Sequence, residues 1–598
     1  MSQRSKTIVQ IVTSSILSGG ALIVLCAWCL KYSDWQIREH LKVISPLFLE
    51  LIFIGIVCTV GAALMIFVQQ HSVRSLLASW SSPTTVALGG ILIGVCCFLI
   101  WVVPRDHRIY YDEDIYENVA QNIALTKGGG LRHDDNFSRF FPGLTTRFIG
   151  SAGMCNEGRN QYGEYTCYRL EYNKEPNAWP HLLSVVYRIA GVNEPISFLT
   201  TNILFLVSIL IVYWIGVLMF RSRPAGLYAA FMYALTPEVL IWSNTVAAEP
   251  AAATWAAVSV LSALLFVRFR QNILLFLYVL ITAYAIQFRP ESIMICIVTC
   301  LLFALEAPAE FRKLRLYVAF SFLFALIVPH CAHLFAVRSM TWGATGPKFS
   351  FDFFLSGNFR VNSLFYLLNL RFPLLFTVLF FLGLFLKSTD TSSHNIKPKF
   401  VIVVWFILFW GIFLFFYAGS YNYGADVRFS VLSAIPLALL AGNGANAINS
   451  IIARRIPRDI GHCIIALLIL GTFISFMPFV RAISQEAWAA RADHRYAQEM
   501  LPLIPDNAVV LTHNPNMFLV WGKNAAQASL ATEQKAYFSG FFNRYSGGIF
   551  FHYNFWCNVN DPLQNSFCKN ILSWYQCTPI ATFREQNQEF ALYRVERK

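Results

Sequence analysis

Long apolar runs separated by short polar segments dominate the chain. A helix needs about 20 mostly apolar residues to cross a membrane, and about thirteen runs approach that length. They begin near Ile8, Leu47, Val86, Ser197, Ala225, Pro250, Asn272, Glu291, Leu316, Val361, Phe400, Phe429 and Gly461. The runs from Asn272 and Glu291 are short and separated only by residues 287–290, which predicts a helical hairpin with a tight turn. The pattern predicts a mainly α fold, a polytopic bundle of membrane helices.

Composition agrees with many membrane spans. Of the 598 residues, 56% are hydrophobic and only 13% are charged, whereas soluble proteins carry about 25% charged residues. The net charge is +13, but the basic residues lie in short clusters between apolar runs, as in cytoplasmic loops. Nucleic-acid binding is therefore not predicted, and membrane lipids are the expected surroundings.

The basic clusters predict the orientation of the chain. If the N-terminus is cytoplasmic, spans of even number should end at basic loops. The residues found there are Arg74, Arg221, Arg223, Arg268, Arg270, Arg312, Lys313, Arg315, Lys387, Lys397, Lys399, Arg454, Arg455 and Arg458. The first apolar run follows Arg4 and Lys6 and lacks a convincing cleavage site, so we expect no cleavable signal peptide. We expect an integral protein of the plasma (inner) membrane with a cytoplasmic N-terminus.

This topology divides the chain into three predicted domains. Residues 1–84 form two N-terminal spans, and residues 85–480 form a membrane domain with a long outer loop at 105–195. A second polar segment, 338–360, is also outside. Residues 481–598 form an extracytoplasmic domain large enough for a small fold of its own.

The terminal domain is predicted to be α/β. Stretches 508–512 and 590–594 are typical of strands. The cysteines predicted to lie outside are Cys155, Cys167, Cys557, Cys568 and Cys577. In an oxidising compartment we expect Cys155 to pair with Cys167, and two of the other three to pair with each other. Free thiols are one alternative; a zinc site is another, although no histidine pair flanks these cysteines at ligand spacing.

Three adjacent carboxylates, Asp112, Glu113 and Asp114, follow the third span by a few residues. The residues after them have helical character, which predicts an amphipathic helix at the interface. Neighbouring carboxylates repel one another and raise at least one pKa unless a cation is near. Such a cluster suits a general base or a metal ligand. A solvated turn or an acidic helix cap is the ordinary alternative.

Further motifs follow in a fixed order over about residues 85–450. They are Asp112-Glu113 with Tyr116, Ala120 and Ala124; the Pro-rich segment 175–182; the acidic segment 236–250; Arg289-Pro290-Glu291; and Asp426-Val-Arg428-Phe429 followed by Pro436. In this order they resemble the GT-C superfamily of membrane glycosyltransferases, in the branch of protein O-mannosyltransferases and lipid A aminoarabinose transferases. The chain departs from that family at Trp179-Pro180, where a double proline is usual, and at Glu249, where an aspartate is usual.

The resemblance implies an inverting glycosyltransferase. It would move a sugar from a polyprenyl-phosphate donor to an extracytoplasmic lipid, glycan or protein acceptor. Asp112 would be the base, and Glu113 would position the acceptor or support that carboxylate. Glu249 would be the second acidic partner or a metal ligand. Arg289 and Arg428 would hold the phosphate, because a guanidinium fork matches its oxygens.

Other residues are candidates for substrate binding. They are Asp114, Trp179, His181, Tyr421 and Tyr423. Ordinary alternatives stay open: arginines at helix ends snorkel to headgroups, interface tyrosines are common, and Trp179 and His181 could merely anchor the loop. Glu249 could simply begin a helix. No cofactor is certain; a divalent metal ion on Asp112 and Glu249 is an open alternative.

Three other interpretations compete with this one. A transporter or flippase usually places ionisable residues near mid-membrane around internal repeats. Here no repeat is apparent, and the acids and arginines lie at the predicted outer ends of spans. A glycan polymerase or ligase would use a lipid-diphosphate donor, and we would expect its main outer loop late in the chain rather than early. A membrane scaffold would not need three acids and two arginines in these positions.

Overall fold

A computed structural model describes residues 3–70, 83–109, 111–126, 131–136, 148–149, 154–159, 165–338, 346–386, 396–422, 424–533 and 535–598. The chain divides into two compact units. The first comprises Met1–Arg105, Lys174–Trp179 and Thr201–Gln485. The second comprises Asp106–Asn173, Pro180–Thr200 and Glu486–Lys598.

Long apolar helices make up most of the chain, as predicted. Over the described ranges, nine helices are long and apolar enough to cross a membrane. The helices of the membrane region are Gln3–Lys31, Asp34–Gln70, Pro83–Trp101, Glu194–Phe220, Arg223–Ala234, Pro237–Trp242, Ala248–Phe269, Asn272–Ala285, Ile295–Glu306, Leu314–Ala336, Phe359–Leu367, Leu374–Phe385, Ile396–Gly411, Val431–Ile452, Arg458–Ser475 and Met477–Glu486. Large apolar side chains such as Leu467 and Ile474 are exposed along them, as lipid contact requires. The protein is an integral membrane protein.

Four of the predicted spans do not correspond to single helices of spanning length. Those from Ala225, Asn272 and Glu291 correspond to helices of 12 to 14 residues. The run from Val361 is not one helix. It is divided into Phe359–Leu367 and Leu374–Phe385 by the non-helical segment 368–373. Pro373 ends this segment and disfavours helical backbone at the residue before it.

The predicted helical hairpin is confirmed. Helix Asn272–Ala285 continues into a short 3₁₀ turn, and Pro290–Met294 forms a second one. Between them Arg289 is extended, with φ −149° and ψ 153°, the conformation that a following proline imposes. The turn thus fixes the backbone of a predicted phosphate-binding arginine.

The two N-terminal helices pack against the rest of the first unit. Helix Gln3–Lys31 runs along Leu314–Ala336, where Ser14 and Ser18 lie 2.6 and 2.7 Å from the Ser321 hydroxyl. Helix Asp34–Gln70 packs against Asn272–Ala285. Polar contacts between helices are stabilising where no water competes. The two N-terminal helices therefore stabilise Asn272–Ala285, the first helix of the hairpin, and Leu314–Ala336, which follows the hairpin.

Small residues allow one close helix pair in the first unit. A Cβ atom at Gly383 would lie 1.8 Å from the Leu440 carbonyl oxygen, and one at Gly444 would lie 2.0 Å from that of Leu379. Both distances are far below contact, so only glycine fits. This approach of Leu374–Phe385 to Val431–Ile452 is the small-residue packing typical of membrane helices.

The second unit contains two sheets, and the predicted strands lie in the terminal one. An antiparallel sheet in the outer loop has the order Leu131–Asn136, Tyr165–Tyr172, Met154–Arg159, Phe148–Ile149. The terminal sheet has the order Asn524–Gln527, Val509–Thr512, Ile549–Tyr553, Gln588–Glu596, Gln576–Glu585, with its first two pairings parallel and the others antiparallel. The helices of the second unit are Asp112–Thr126, Ala178–Ala190, Trp488–Met500, Pro515–Val520, Ser529–Glu533, Lys535–Ser539, Phe541–Arg544, Phe555–Asn558 and Pro562–Trp574. The α/β prediction for the terminal domain is confirmed.

Alternating side chains of the terminal sheet enter two separate cores. Val509 and Phe551 lie in one core with Cys557 and Cys568. Val510 lies in the other core, with neighbours from the helices Trp488–Met500 and Pro515–Val520. Because successive strand residues point to opposite faces, the sheet is covered on both sides.

The compact units differ from the predicted domains. The outer loop belongs with the terminal residues in the second unit and not with the membrane helices. Hydrogen bonds explain this: Asn118 Nδ2 donates to Asn516 Oδ1 at 2.8 Å, and Gln121 Nε2 donates to the Leu519 carbonyl at 3.2 Å. Such pairs, nearly 400 residues apart in sequence, leave no local pattern in the chain.

One of the predicted disulfides is confirmed. Cys557 and Cys568 are joined, and Cys577 is a free thiol. The side chains of Cys155 and Cys167 lie outside the described ones.

Replacing both Cys557 and Cys568 by alanine should lower the thermal unfolding midpoint of the full chain in detergent. The bridge spans a sequence separation of 11 residues, for which the loss of unfolded-state entropy amounts to about 3 kcal/mol. The measurement is thermal unfolding under non-reducing conditions, with Cys577→Ala as the control that should leave the midpoint nearly unchanged. An unchanged midpoint in the double variant would contradict a stabilising role.

Candidate active site

The three adjacent carboxylates open the helix Asp112–Thr126, here called the acidic helix. Tyr111, directly before it, has a left-handed backbone with φ +70°. Such a conformation costs a non-glycine residue about 1–3 kcal/mol and persists only where the surroundings fix it. The first turn of the acidic helix is therefore held in one direction by its neighbours.

Glu113 supports the turn that precedes the acidic helix. Its Oε1 accepts hydrogen bonds from the backbone N–H groups of Arg108 at 2.8 Å and Ile109 at 3.1 Å. Its side chain is 0% exposed. These N–H groups precede the helix, so Glu113 fixes the segment that enters the acidic helix and is not a cap of the helix itself. Of its two predicted roles, support of the neighbouring carboxylate fits this position better than contact with an acceptor.

Asp114 contacts residues of the terminal part of the second unit. Its Oδ1 lies 3.0 Å from His494 Nε2, and its Oδ2 accepts a 2.6 Å hydrogen bond from Asn514 Nδ2. Burial opposes ionisation, but the positive charges of His494 and His107 outweigh it and lower the pKa of Asp114 to about 2. The carboxylate is 2% exposed. With both oxygens engaged, Asp114 is poorly suited to the predicted substrate contact.

Asp112 differs from its two neighbours in exposure. It is partly exposed, whereas Glu113 and Asp114 are buried. A general base must reach the proton it abstracts. Of the three carboxylates, Asp112 alone combines the first helical position with access to solvent.

Two histidines near the acidic helix contact carboxylates. The rings of His107 and His494 stack with centroids 4.2 Å apart and planes inclined by 8°. His107 Nε2 lies 2.6 Å from Glu194 Oε1. Burial lowers the pKa of both rings, but Asp114 and the neighbouring glutamates raise it more, to well above the usual value for His107. Burial, together with the Glu194 and Asp114 charges, raises the pKa of Glu117 to about 8.

In the first unit, the predicted arginines converge on one carboxylate. Glu249, in the first turn of helix Ala248–Phe269, accepts a 2.6 Å hydrogen bond from Arg289 Nη1. Arg428 Nε lies 3.2 Å from the same oxygen. Arg289 Nε also donates to Glu291 at 2.5 Å. Arg289 is buried and Arg428 is half-buried, and both contact Glu249, whereas an isolated helix-end arginine would extend to the headgroups.

The aromatic ring of Phe429 lies close to both guanidinium groups. The carbon centres of Arg289 and Arg428 lie 5.5 and 5.0 Å from the centroid of Phe429. Phe429 stacks on Phe413 at 4.3 Å. A ring face within about 6 Å attracts a cation, so Phe429 offsets part of the repulsion between two like charges.

A cavity of about 390 Å³ opens beside Arg289. Its walls are mostly apolar and include Ile293, Leu334, Phe413 and Phe416; its charged lining residues are Arg289, Glu291, Arg338 and Lys348. Pockets for small ligands usually measure about 300–1,000 Å³ and combine apolar walls with few polar groups. An apolar cavity with three cations suits an anionic head joined to a hydrocarbon chain.

The metal role of Glu249 stays a prediction, and the surroundings of this carboxylate are cationic. Two guanidinium groups already surround this carboxylate, and a metal cation beside them would be repelled. Where side chains are described, the groups able to hold a metal are His107–Glu194–His494, His107–Asp114–Glu117 and His513–Cys557–Cys568. None includes Asp112 or Glu249, and the two cysteines are joined as a disulfide.

The other predicted substrate contacts are buried or undescribed. Trp179 is 0% exposed and donates from Nε1 to the Val246 carbonyl at 2.9 Å, which agrees with the anchoring alternative. His181 is fully buried in the second unit. Tyr421 is fully buried among Phe365 and Tyr366. Tyr423 lies outside the described residues.

Several residues of these sites were not predicted. Arg338 and Lys348 belong to the predicted outer segment 338–360, so the basic start of that segment was a signal available in the sequence. His107, Glu194 and His494 were not singled out, because they come from three distant segments and match no motif.

Solved structures share this architecture. ArnT from Cupriavidus metallidurans, bound to undecaprenyl phosphate, aligns with a TM-score of 0.52 at 11% identity, over 85% of this chain and 97% of that chain. The oligosaccharyltransferase from Archaeoglobus fulgidus, tethered to an acceptor peptide, aligns with a TM-score of 0.51 at 14% identity, over 86% and 74%. No protein-family model and no curated protein matches the sequence. The chain has the fold of the GT-C membrane glycosyltransferases, so the resemblance is confirmed for the fold.

Proposed function

We propose that the protein is an inverting glycosyltransferase that moves a sugar from a polyprenyl-phosphate donor to an extracytoplasmic lipid, glycan or protein acceptor. The convergence of Arg289 and Arg428 beside a cationic, apolar cavity is the observation that carries this proposal. Guanidinium groups bind phosphate oxygens in a forked geometry. The GT-C fold supports the reaction type, and ArnT, which shares that fold, was solved with undecaprenyl phosphate.

The chemistry needs two kinds of groups. The acceptor hydroxyl oxygen attacks the anomeric carbon and loses its proton to Asp112, acting as general base. The bond from that carbon to the phosphate oxygen breaks, and the polyprenyl phosphate leaves with the electron pair. Arg289 and Arg428 stabilise the charge that develops on the phosphate. Attack opposite the leaving group inverts the anomeric configuration.

The cavity gives the donor a second point of attachment. Its walls of Leu334, Phe413 and Phe416 offer apolar contact for the first isoprene units, while Arg338 and Lys348 add positive charge. Burial of apolar surface contributes about 25 cal/mol per Å². Binding energy from the lipid can thus hold the phosphate against the arginines without using the sugar.

We infer that the protein lies in the plasma membrane with a cytoplasmic N-terminus and an extracytoplasmic terminal domain. The basic loops after the even-numbered spans support this orientation. The disulfide between Cys557 and Cys568 supports an oxidising compartment for the terminal domain. The acceptor would then be reached from the extracytoplasmic side.

The test is incubation of the purified protein in detergent with a panel of polyprenyl-phosphate sugars and candidate acceptors. We expect release of polyprenyl phosphate, detected by mass spectrometry, together with glycosylated acceptor. Protein-free micelles are the control. Consumption of polyprenyl-diphosphate donors alone would favour the ligase alternative. Movement of an intact lipid-linked sugar across vesicles without cleavage would favour the flippase.

A further inference from the structure

Four side chains of the second unit, His107, Asp114, Glu194 and His494, form a buried group here called the His–carboxylate cluster. None is more than 9% exposed. They come from the loop before the acidic helix, from that helix, from the start of Glu194–Phe220 and from helix Trp488–Met500. Convergence of two imidazoles and two carboxylates from four segments is unusual for a core, where polar groups are costly unless they are paired.

The outer ring nitrogen of His494 is hydrogen-bonded to a backbone carbonyl, and that of His107 faces a carboxylate. His494 Nδ1 donates to the Ala490 carbonyl at 2.9 Å. His107 Nδ1 faces Glu113 Oε2 at 3.5 Å. A metal-binding histidine nearly always has its other ring nitrogen on a backbone carbonyl or a carboxylate, which fixes the tautomer and the ring orientation. In both rings Nε2 is the nitrogen directed into the cluster.

The two carboxylates show the same arrangement. Glu194 Oε2 accepts from Gln498 Nε2 at 2.8 Å and from Trp521 Nε1 at 3.2 Å. Asp114 Oδ2 accepts from Asn514 Nδ2 at 2.6 Å. Each carboxylate therefore has one oxygen oriented by an outer donor and the other directed at an imidazole. Outer hydrogen bonds of this kind orient carboxylates that bind metals.

The inner atoms lie close together. His107 Nε2 is 2.6 Å from Glu194 Oε1, and His494 Nε2 is 3.0 Å from Asp114 Oδ1. One donor atom from each of His107, Glu194 and His494 lies within 4.8 Å of the other two. Ligands at about 2.0–2.2 Å from one Zn²⁺ lie roughly 3–3.6 Å apart. On binding the ion, His107 Nε2 and Glu194 Oε1 would therefore move apart, and a separation near 4.8 Å would shorten.

Charge also favours a cation in this place. The cluster contains two buried carboxylates, Asp114 and Glu194, beside its two imidazoles. A buried negative charge without compensation costs several kcal/mol. A divalent ion would compensate it and also leave both rings neutral, the form in which imidazole binds metals.

We propose that His107, Asp114, Glu194 and His494 bind a divalent transition-metal ion of the zinc class. Two nitrogen and two carboxylate ligands suit Zn²⁺ in tetrahedral geometry, and imidazole ligands disfavour Mg²⁺ and Ca²⁺. The ion would join the outer loop, the acidic helix and the terminal helix Trp488–Met500. It would fix the first turn that carries Asp112, so it stabilises the second unit whether or not the proposed sugar transfer is correct.

The experiment measures metal binding by the full chain in detergent, without reductant so that the disulfide stays intact. After treatment with a chelator, the protein is dialysed against ZnCl₂, MnCl₂ or MgCl₂, and bound metal is counted by plasma mass spectrometry. We expect about one Zn²⁺ per chain and an increase in the thermal unfolding midpoint with Zn²⁺ but not with Mg²⁺. Co²⁺ should give the visible absorption of a tetrahedral site.

Substitutions distinguish the metal ligands from residues that only orient a ligand by a hydrogen bond. Gln498→Ala removes an outer donor and should weaken Zn²⁺ binding about 10- to 100-fold. His494→Gln removes a ligand and should weaken it further, whereas His40→Gln, at an exposed position of the first unit, should bind as the unmodified protein does. Absence of Zn²⁺ binding by the unmodified chain would overturn the proposal, since the cluster would then be only an ion-pair network. Equal binding by the His494→Gln variant would overturn it as well. Neither result depends on sugar transfer.

Discussion

Replacing Asp112 by asparagine is expected to reduce kcat of sugar transfer by about 10²- to 10⁴-fold, the usual contribution of a general base. Asparagine has nearly the same shape but cannot accept a proton from the acceptor hydroxyl. Donor binding should change little, because Asp112 has no part in holding the phosphate. The measurement is a steady-state assay of polyprenyl phosphate release, with donor affinity determined separately.

The matched control is Asp506→Asn. Asp506 is an exposed aspartate of the second unit, paired with Lys523 at 2.6 Å. An exposed ion pair contributes little to stability, and we expect this variant to retain its activity. The Asp112→Asn variant should elute as a monodisperse species with the unfolding midpoint of the unmodified protein. Turnover near the normal rate would eliminate Asp112 as the base.

The helical architecture could be predicted from the sequence because lipid imposes a local requirement. Every spanning segment must be apolar and must satisfy its own backbone hydrogen bonds, so the pattern of the chain reports it directly. The turn at Arg289 was predictable for the same reason, since Pro290 acts on the residue next to it. The division of the run from Val361 at Pro373 was missed, although the same proline rule applies there.

The roles of the three adjacent carboxylates could not be separated by sequence reasoning. Asp112, Glu113 and Asp114 share charge and location along the chain, yet one is partly exposed and two are buried. What distinguishes Asp114 is contact with His494 and Asn514, which lie 380 and 400 residues further along. A pattern along the chain contains no record of such distant partners.

The sequence predicted a shared role for two arginines but not the carboxylate that both of them contact. The family resemblance predicts Arg289 and Arg428 as phosphate ligands, and it gives Glu249 a metal as an alternative partner. In the structure Glu249 pairs with both arginines. A carboxylate between two guanidinium groups keeps them together while no phosphate is bound, and that role depends on geometry alone.

Replacing Arg289 by glutamine should have two separable effects. It removes the 2.6 and 2.5 Å partner of the buried carboxylates Glu249 and Glu291, and Glu249 then keeps only Arg428 at 3.2 Å. Breaking a buried pair in this way costs about 3–5 kcal/mol. It also removes a charged donor to the phosphate, worth about 1.5–3 kcal/mol. At about 1.4 kcal/mol per factor of ten, donor affinity should fall roughly 10- to 100-fold.

The double variant Arg289→Gln with Glu249→Gln distinguishes structural support from phosphate binding. Neutralising Glu249 removes a buried charge that has lost its nearer partner, so the thermal unfolding midpoint should recover part of its loss. Donor affinity, measured with polyprenyl phosphate alone, should stay low because the guanidinium group is still missing. Arg315→Gln is the control, since Arg315 is bonded to Glu310 at 2.6 Å but does not line the cavity beside Arg289; it should bind donor normally. If the double variant bound donor as tightly as the unmodified protein, Arg289 would be a structural residue, and the phosphate would have to be held by other cations.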